Sequence, residues 1–374
     1  MLKGLFWLSG GLLLWTHAGY PLAAAAAGRL RPRRVRKDEA TPTVTVIVAA
    51  HDEEDVIARR VENLLALDYP TERLEIVVAS DDSSDRTDEI VTELAAREPR
   101  VRLLRCPRGG KVVAQDRAVR EAETEVVAFS DANALWAADA LSQLVRSFAD
   151  PDVAYVCGQL RLEEPDGTNR EGAYWRYEVW LREQESALGS ITGGNGAIYA
   201  LRRSDYLEVD PRFGHDLSLP YALTQRGRRA VYEPEAVASE QPTPEQEGEY
   251  RRKVRMFEHC WAIVLEGRFL AGGGPLYLAQ LVSHRVLRYG SGVLHVLLLG
   301  TSLALAGRGR PYELALAAQL AFLGLAAAGR LRAPVPGAAL AYYYFLVTSA
   351  TLVSLVRYLR SGVPAVWEKA PGTR

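Results

Sequence analysis

The chain of 374 residues balances 45 Lys+Arg against 46 Asp+Glu, with 48% hydrophobic residues and 31 Gly. That composition excludes a disordered chain, a fibrous one and a nucleic-acid binder working through bulk charge. Almost all the acids lie between Asp38 and Glu266 while both ends are apolar, so a soluble middle with membrane ends is expected. Cys106, Cys157 and Cys260 are odd in number, widely spaced and outside any C-x-x-C or Cys/His pattern, so they read as reduced thiols.

From Leu5 to Leu30 charge is almost absent over a length that can cross a hydrocarbon core of roughly 30 Å. The small-residue run Ala23 to Ala27 is compatible with signal cleavage, but Arg29, Arg31, Arg33, Arg34, Arg36 and Lys37 follow at once, and only Lys3 stands on the other flank. That imbalance favours an uncleaved anchor that keeps the downstream chain in the cytoplasm. Residues 1–37 are therefore expected to be a transmembrane anchor with a basic flank.

The segment 38–258 reads as a soluble domain in which strands and helices alternate. Thr43 to Ala50 is a β-branched, apolar strand suited to burial on both faces. Asp52 to Leu67 has helical periodicity opened by an acidic cap. A strand at Leu74 to Ala79, a helix at Asp85 to Arg97, a strand at Val101 to Arg105, a helix at Lys111 to Ala122 and a strand at Glu125 to Ser130 follow. Such alternation specifies a parallel sheet with right-handed crossovers, whose ligands sit beyond the carboxyl ends of the strands. Acids gather at those ends: His51-Asp52-Glu53-Glu54, Asp81-Asp82 with Asp85, and Asp131. Like charges so placed need a cation or hydrogen-bond donors to offset them, and a divalent metal on oxygen ligands is one solution. Asp85 reads better as a helix cap.

Tyr174, Trp175, Tyr177, Glu178 and Trp180 then form an aromatic-rich helix, and Leu217 to Arg226 a further helix, for which capping is the plainer alternative role of Asp216. Residues 259–288 mix apolar residues with Arg268, His284 and Arg285 and are divided by Gly272 to Gly274, an interfacial pattern. Within 289–374, Tyr289 to Leu305, Tyr312 to Ala328 and Pro336 to Val356 read as three transmembrane helices. One span before the domain and three after it put the C-terminus outside, whereas Arg357, Arg360, Lys369 and Arg374 favour the inside.

The series VIVAAHDEE, VVASDDSSDRT, RGGKVVAQDRAV, VVAFSDANA, GGNGAIYALRR, HDLSLPYALTQRGRRAVYEPEA and EYRRKVRM, in that order from about Thr43 to Met256, resembles the membrane-bound family 2 glycosyltransferases. The resemblance implies an α/β fold of GT-A type, a mostly parallel sheet with helices on both faces, joined here to transmembrane helices at both ends. It implies an inverting transfer from a nucleotide-diphospho-sugar to a membrane-associated lipid or glycan acceptor, with Mg2+ or Mn2+ and no nucleic acid. Asp81 corresponds to the family acid at the nucleobase or ribose, with Glu53 nearby, and Asp82 stands where the family usually has Gly. Lys111 corresponds to a lysine beside the nucleotide. SDAN resembles the D-x-D metal element, carried over in full at Asp131, with Asn133 replacing the second acid. His215-Asp216 matches the family's acidic pair, which makes Asp216 the implied base, with Glu178 the next carboxylate. Arg252 to Met256 matches the Q-x-x-R-W element, giving Arg252 and Arg255 to the diphosphate. Gly194, Asn195 and Gly196 match the acceptor-side loop. The absent Trp of that element speaks against processive polymerisation, and two other readings remain beside simple transfer: a polysaccharide synthase coupled to export, and a silent sugar-nucleotide-binding scaffold.

Overall fold

The computed structural model describes residues 1–162, 172–241 and 246–364. The chain falls into two compact units, a helical one of Met1–Ala24, Pro244–Glu266 and Leu278–Val363, and a sheet unit of Ala25–Thr243, Gly267–Tyr277 and Pro364–Arg374. The N-terminal helical run is divided into α1 (Leu2–Leu14), a π turn (Trp15–Gly19) and α2 (Tyr20–Leu30), of 13, 5 and 11 residues. Each piece alone falls short of the roughly 20 residues that span a bilayer.

The sheet unit then runs β1 (Val44–Ala50), α3 (Ile57–Leu65), β2 (Leu74–Asp81), α4 (Thr87–Arg97), β3 (Val101–Cys106), α5 (Lys111–Glu121), β4 (Val126–Asp131), β5 (Leu135–Trp136) and α6 (Ala140–Arg146). It continues with β6 (Val153–Leu162), α7 (Ala173–Leu188), β7 (Tyr199–Arg202), α8 (His215–Gln225) and β8 (Arg229–Glu240). The strand order is β3-β2-β1-β4-β7-β6-β8-β5. β3, β2, β1 and β4 are mutually parallel, β7 runs antiparallel between β4 and β6, β6 and β8 are parallel, and β5 closes the edge antiparallel to β8.

Strand alternation explains why helices cover both faces. Val44, Val46 and Val48 of β1 pack with Ile57, Val61 and Leu64 of α3, Val91 of α4 and Leu141 and Leu144 of α6. Ile47, one residue out of phase, packs with Val77, Phe129, Ala114 and Ala118 of α5, and Leu219 and Leu223 of α8. Three helices start elsewhere than the sequence suggests, α4 at Thr87 rather than Asp85. α3 begins at Ile57 with Val56 as an uncapped N-cap, because the preceding acids are engaged across the sheet edge. α8 begins at His215 on an N-cap of Gly214, so Asp216 lies in its first turn and is not its cap.

In the helical unit, α9 (Gln246–Glu266) is one continuous helix across the expected boundary at residue 258. Among the described residues, Arg310–Arg330 and Ala338–Ser361 are long and apolar enough to cross a membrane. The third expected span is a 14-residue helix, Ser291–Ala304, which reaches that length only together with Gly274–Tyr289 across a 63° bend. Polar side chains tie this unit together: Thr16 donates to Ser283 O (2.6 Å), Trp261 to Thr351 O (3.0 Å), and His295 meets the Tyr344 hydroxyl (2.9 Å). Glycine lets helices approach, since a Cβ at Gly292 would lie 2.6 Å from Thr348 O.

Candidate active site

The strand order reverses between β1 and β4, and a crevice opens at such a switch point beyond the carboxyl ends of the strands. Register places Asp131 of β4 opposite Ala49, and Ser80 of β2 opposite Ala50, so the strand-end acids share this edge. Their charges are offset largely by donors from the chain itself. Asp52, held at φ 54°, accepts Ser84 N–H (2.7 Å), and Glu54 accepts Arg86 N–H (3.1 Å). The Glu53 N–H donates to Thr87 Oγ1 (2.8 Å). Asp85 accepts the N–H of Thr87 (2.9 Å), the first residue of α4, but stands one residue before the N-cap, Arg86.

Asp81 is buried and fully engaged by the loop between β3 and α5. Its carboxylate accepts Gly109 N–H (2.7 Å) and Gly110 N–H (3.0 Å) and pairs with the Arg108 guanidinium. Gly110 holds φ 90° while presenting that N–H, a conformation that glycine adopts without cost. Arg108 escaped the sequence reading, although it stands in the same RGGK stretch as Lys111.

The Lys111 ammonium, at the start of α5, forms an ion pair with Asp131. Burial alone would lower the lysine's pKa, but Asp131, Asp216 and Glu240 outweigh it and hold it above the usual value. Beneath them, Arg60 of α3 is wholly buried, bonded to Asn63 Oδ1 (2.5 Å) and stacked 5.0 Å over Trp136. Burial pulls its pKa down to about 9 against the opposing pull of Asp131 and Glu240. Position 60 falls on the apolar stripe of α3 between Ile57 and Leu64, a signal visible in the sequence. Asn133 is exposed on the turn after β4.

The loop Gly194-Asn195-Gly196 bridges this pair and α8. A Cβ at Gly196 would lie 3.0 Å from both Asp131 Oδ2 and Lys111 Nζ, and the Gly194 N–H donates to Asp216 O (2.6 Å). Asn195 points inward: Nδ2 donates to Gly158 O (2.8 Å), and Oδ1 accepts the Ala197 and Ile198 N–H groups (3.1 and 3.0 Å). Its amide therefore shapes the loop. Arg182 of α7, also buried, donates to Gly194 O (3.4 Å) and lies 5.6 Å from the Tyr232 ring.

Asp216 is partly exposed and close enough for its charge to act on Lys111, Tyr199 and Tyr155. Its neighbour His215 is buried, with Nδ1 3.3 Å from the Tyr199 hydroxyl and Nε2 3.2 Å from that of Tyr206 and 3.4 Å from Asp116. Tyr206 in turn donates to Asp116 (2.5 Å). This network fixes the first turn of α8 from below and was not visible in the sequence. Glu178 is partly buried on α7. Arg252 and Arg255 lie on α9, in the helical unit. Burial, then Arg252, holds the Arg255 pKa below its usual value, with Glu258 opposing.

Asp131, once released from Lys111, and the Asn133 amide offer oxygen to a hard cation, and no cluster of three His, Cys, Asp or Glu that could hold a metal occurs among the described residues. Such a donor set fits Mg2+ or Mn2+ only if phosphate oxygens and water complete the coordination.

Residues 45–209 match the family model Glycosyl transferase family 2, so the chain carries a glycosyltransferase domain of that family. Beta-monoglucosyldiacylglycerol synthase of Trichormus variabilis is 34% identical over 178 residues, covering 44% of this chain and 38% of that protein. The enzyme of that name from Synechocystis is 28% identical over 224 residues (54% and 45%). Poly-beta-1,6-N-acetyl-D-glucosamine synthase of Staphylococcus aureus is 24% identical over 202 residues (52% and 48%). The chain thus spans less than half the length of these curated relatives. The solved structure of a mannosyltransferase from Pyrobaculum calidifontis, in complex with GDP-Man and Mn2+, superposes with a TM-score of 0.72 at 25% identity over 96% of this chain and 99% of that one. The fold is of GT-A type, with the mostly parallel sheet and two-faced helical cover that the resemblance implied.

Proposed function

We propose that this family 2 domain transfers a sugar, with inversion, from a nucleoside-diphospho-sugar to a hydroxyl of a membrane-associated lipid or glycan. The observation that carries the reading is the convergence of Asp131, Lys111, Gly196 and Asp216 at the switch point of the sheet. The reaction needs a base for the acceptor hydroxyl, countercharge for the leaving diphosphate and in-line positioning. Asp216, exposed enough to be reached, takes the hydroxyl proton as attack begins. Lys111 turns from Asp131 toward the diphosphate, where its ammonium supplies countercharge. Asp81 with its glycine loop, and Glu53 beside it, form the nucleotide end of the pocket. Asp131 and Asn133 would hold Mg2+ or Mn2+, and the bound ion would supply charge neutralisation on the leaving diphosphate. Gly194 and Gly196 admit the acceptor close to the sugar, and Asn195 keeps their loop in shape.

The product named for the relatives at 34% and 28% identity, a monoglucosyl diacylglycerol, favours a lipid acceptor. A polymerising reading rests on the more distant poly-N-acetylglucosamine synthase. The chain sits in the cell membrane as a multi-pass protein with its sheet unit in the cytosol, where nucleotide-sugars are made. Purified protein in lipid nanodiscs, incubated with UDP- and GDP-sugars, diacylglycerol and Mn2+, should release nucleoside diphosphate and yield a glycolipid of one or few sugars. Long polymer would favour the synthase reading, and no turnover with any donor would reject both. A reporter fused after Lys37 should behave as cytosolic.

A further inference from the structure

We infer that the arm following α2 is an anionic-phospholipid contact, built from the exposed arginines Arg31, Arg34 and Arg36 and held rigidly against the sheet unit by Arg229. The inference rests on the reading of the chain as membrane-embedded. No acid occurs in residues 1–37, so nothing within this stretch neutralises its six cations from Arg29 to Lys37.

Arg29 is exposed in the last turn of α2, and the structure sorts the other five cations into two sets. Arg33 pairs with Asp152 (2.8 Å), and Lys37 reaches the wholly buried Glu233 (2.7 Å). Arg31, Arg34 and Arg36 are exposed, and their side chains form no ion pair among the described residues. The backbone between them is clamped. Buried Arg229 donates to Arg33 O (2.8 Å), Arg34 O (3.3 Å), Gly189 O (3.0 Å) and Asp150 Oδ2 (3.0 Å), and the Arg33 N–H donates to Ala187 O (2.8 Å). A tether needs no such clamp. An ordered strip of guanidinium groups directly after an apolar helix matches the phosphate plane of an anionic leaflet, where Arg forms bidentate contacts. The arm also roofs a cleft of about 370 Å³ lined by Arg34, Val35, Glu183, Ala187, Tyr232 and Pro234, which gives a headgroup depth to enter. Glu183 there opposes an anion, but burial pushes its carboxyl pKa up and so favours its neutral form.

The test uses full-length protein in neutral detergent, titrated with dihexanoyl phosphatidylglycerol, dihexanoyl phosphatidylcholine or inorganic phosphate, with thermal unfolding as the readout. Phosphatidylglycerol should raise the midpoint, the other two should not, and 0.5 M NaCl should abolish the rise through screening, in roughly the way expected of exposed charges. Arg31→Gln/Arg34→Gln/Arg36→Gln should weaken the apparent affinity by about tenfold or more, taking each basic residue as worth up to several-fold. A control with the same charge loss elsewhere, Arg59→Gln/Arg97→Gln/Arg226→Gln, should respond as the parent does. Equal response to both lipids, response to phosphate alone, or unchanged response in the arm variant would overturn the inference. Protein that stays monodisperse without detergent would instead overturn the membrane reading on which it rests.

Discussion

Gly194→Ala tests whether the loop bridging Lys111–Asp131 and Asp216 is held by contact or by chance. The added Cβ would lie 2.2 Å from the Tyr155 hydroxyl oxygen and 3.2 Å from both Tyr155 Cζ and Cys157 Sγ. Tyr155 has nowhere to go: it is wholly buried and stacks 5.5 Å from Tyr199, which stacks 4.7 Å from Phe129. Overpacking of this kind costs about 1–3 kcal/mol, and a loop that shifts to relieve it loses the Gly194 N–H bond to Asp216, about 1 kcal/mol more. For a unit of this size the sum corresponds to a drop in unfolding midpoint of about 5–10 °C. The Tyr155 hydroxyl is buried with no oxygen or nitrogen partner among the described residues and faces the weakly bonding Cys157 thiol, so Tyr155→Phe alone should be close to neutral. In the double variant the worst clash is gone but the ring contact remains, so part of the loss should return, with a coupling energy of about 1–2 kcal/mol. Transfer rates should follow the same order: parent and Tyr155→Phe alike, Gly194→Ala lowest, the double variant between. A midpoint for Gly194→Ala equal to that of the parent, or no recovery in the double variant, would refute the argument.

Other outcomes follow from the same geometry. Asp81→Ala should weaken donor binding and also lower stability by about 2–4 kcal/mol, because two N–H groups and a guanidinium lose their acceptor; calorimetric titration with nucleotide and thermal unfolding read the two effects. Exhaustive chelation should stop transfer and added Mn2+ restore it, whereas Lys111→Met, by removing the ammonium that competes for Asp131, should raise Mn2+ affinity of donor-free protein while lowering turnover, as followed by the free-Mn2+ spin-resonance signal. Asp216→Asn should reduce turnover by roughly 100-fold with donor affinity little changed, since a base acts in the transition state; turnover within a few-fold of the parent would move the search to Glu178.

The parallel half of the sheet was legible in the sequence because each strand is a short apolar run and each helix keeps its period. The antiparallel β7 and the edge pairing of β5 were not, because a four-residue and a two-residue strand leave too little periodicity to read. The strand-end acids could be placed at one edge, but not their partners. Asp81 is neutralised from 27 to 29 residues downstream and Asp131 from 20 residues upstream, separations that no local pattern encodes. This changes how the site is to be understood physically. Bare carboxylates would make a strong preformed cation site. Carboxylates already satisfied by Arg108, two glycine N–H groups and Lys111 must instead exchange partners when donor and ion arrive, so only the difference between two sets of contacts appears as affinity. The same holds for Asn195, which the resemblance set in the acceptor-side loop and whose amide is engaged by Gly158, Ala197 and Ile198 in the fold. Chemistry at this edge is thus left to the groups that keep an exposed face, Asp131, Lys111 and Asp216, while the residues around them fix where those faces point.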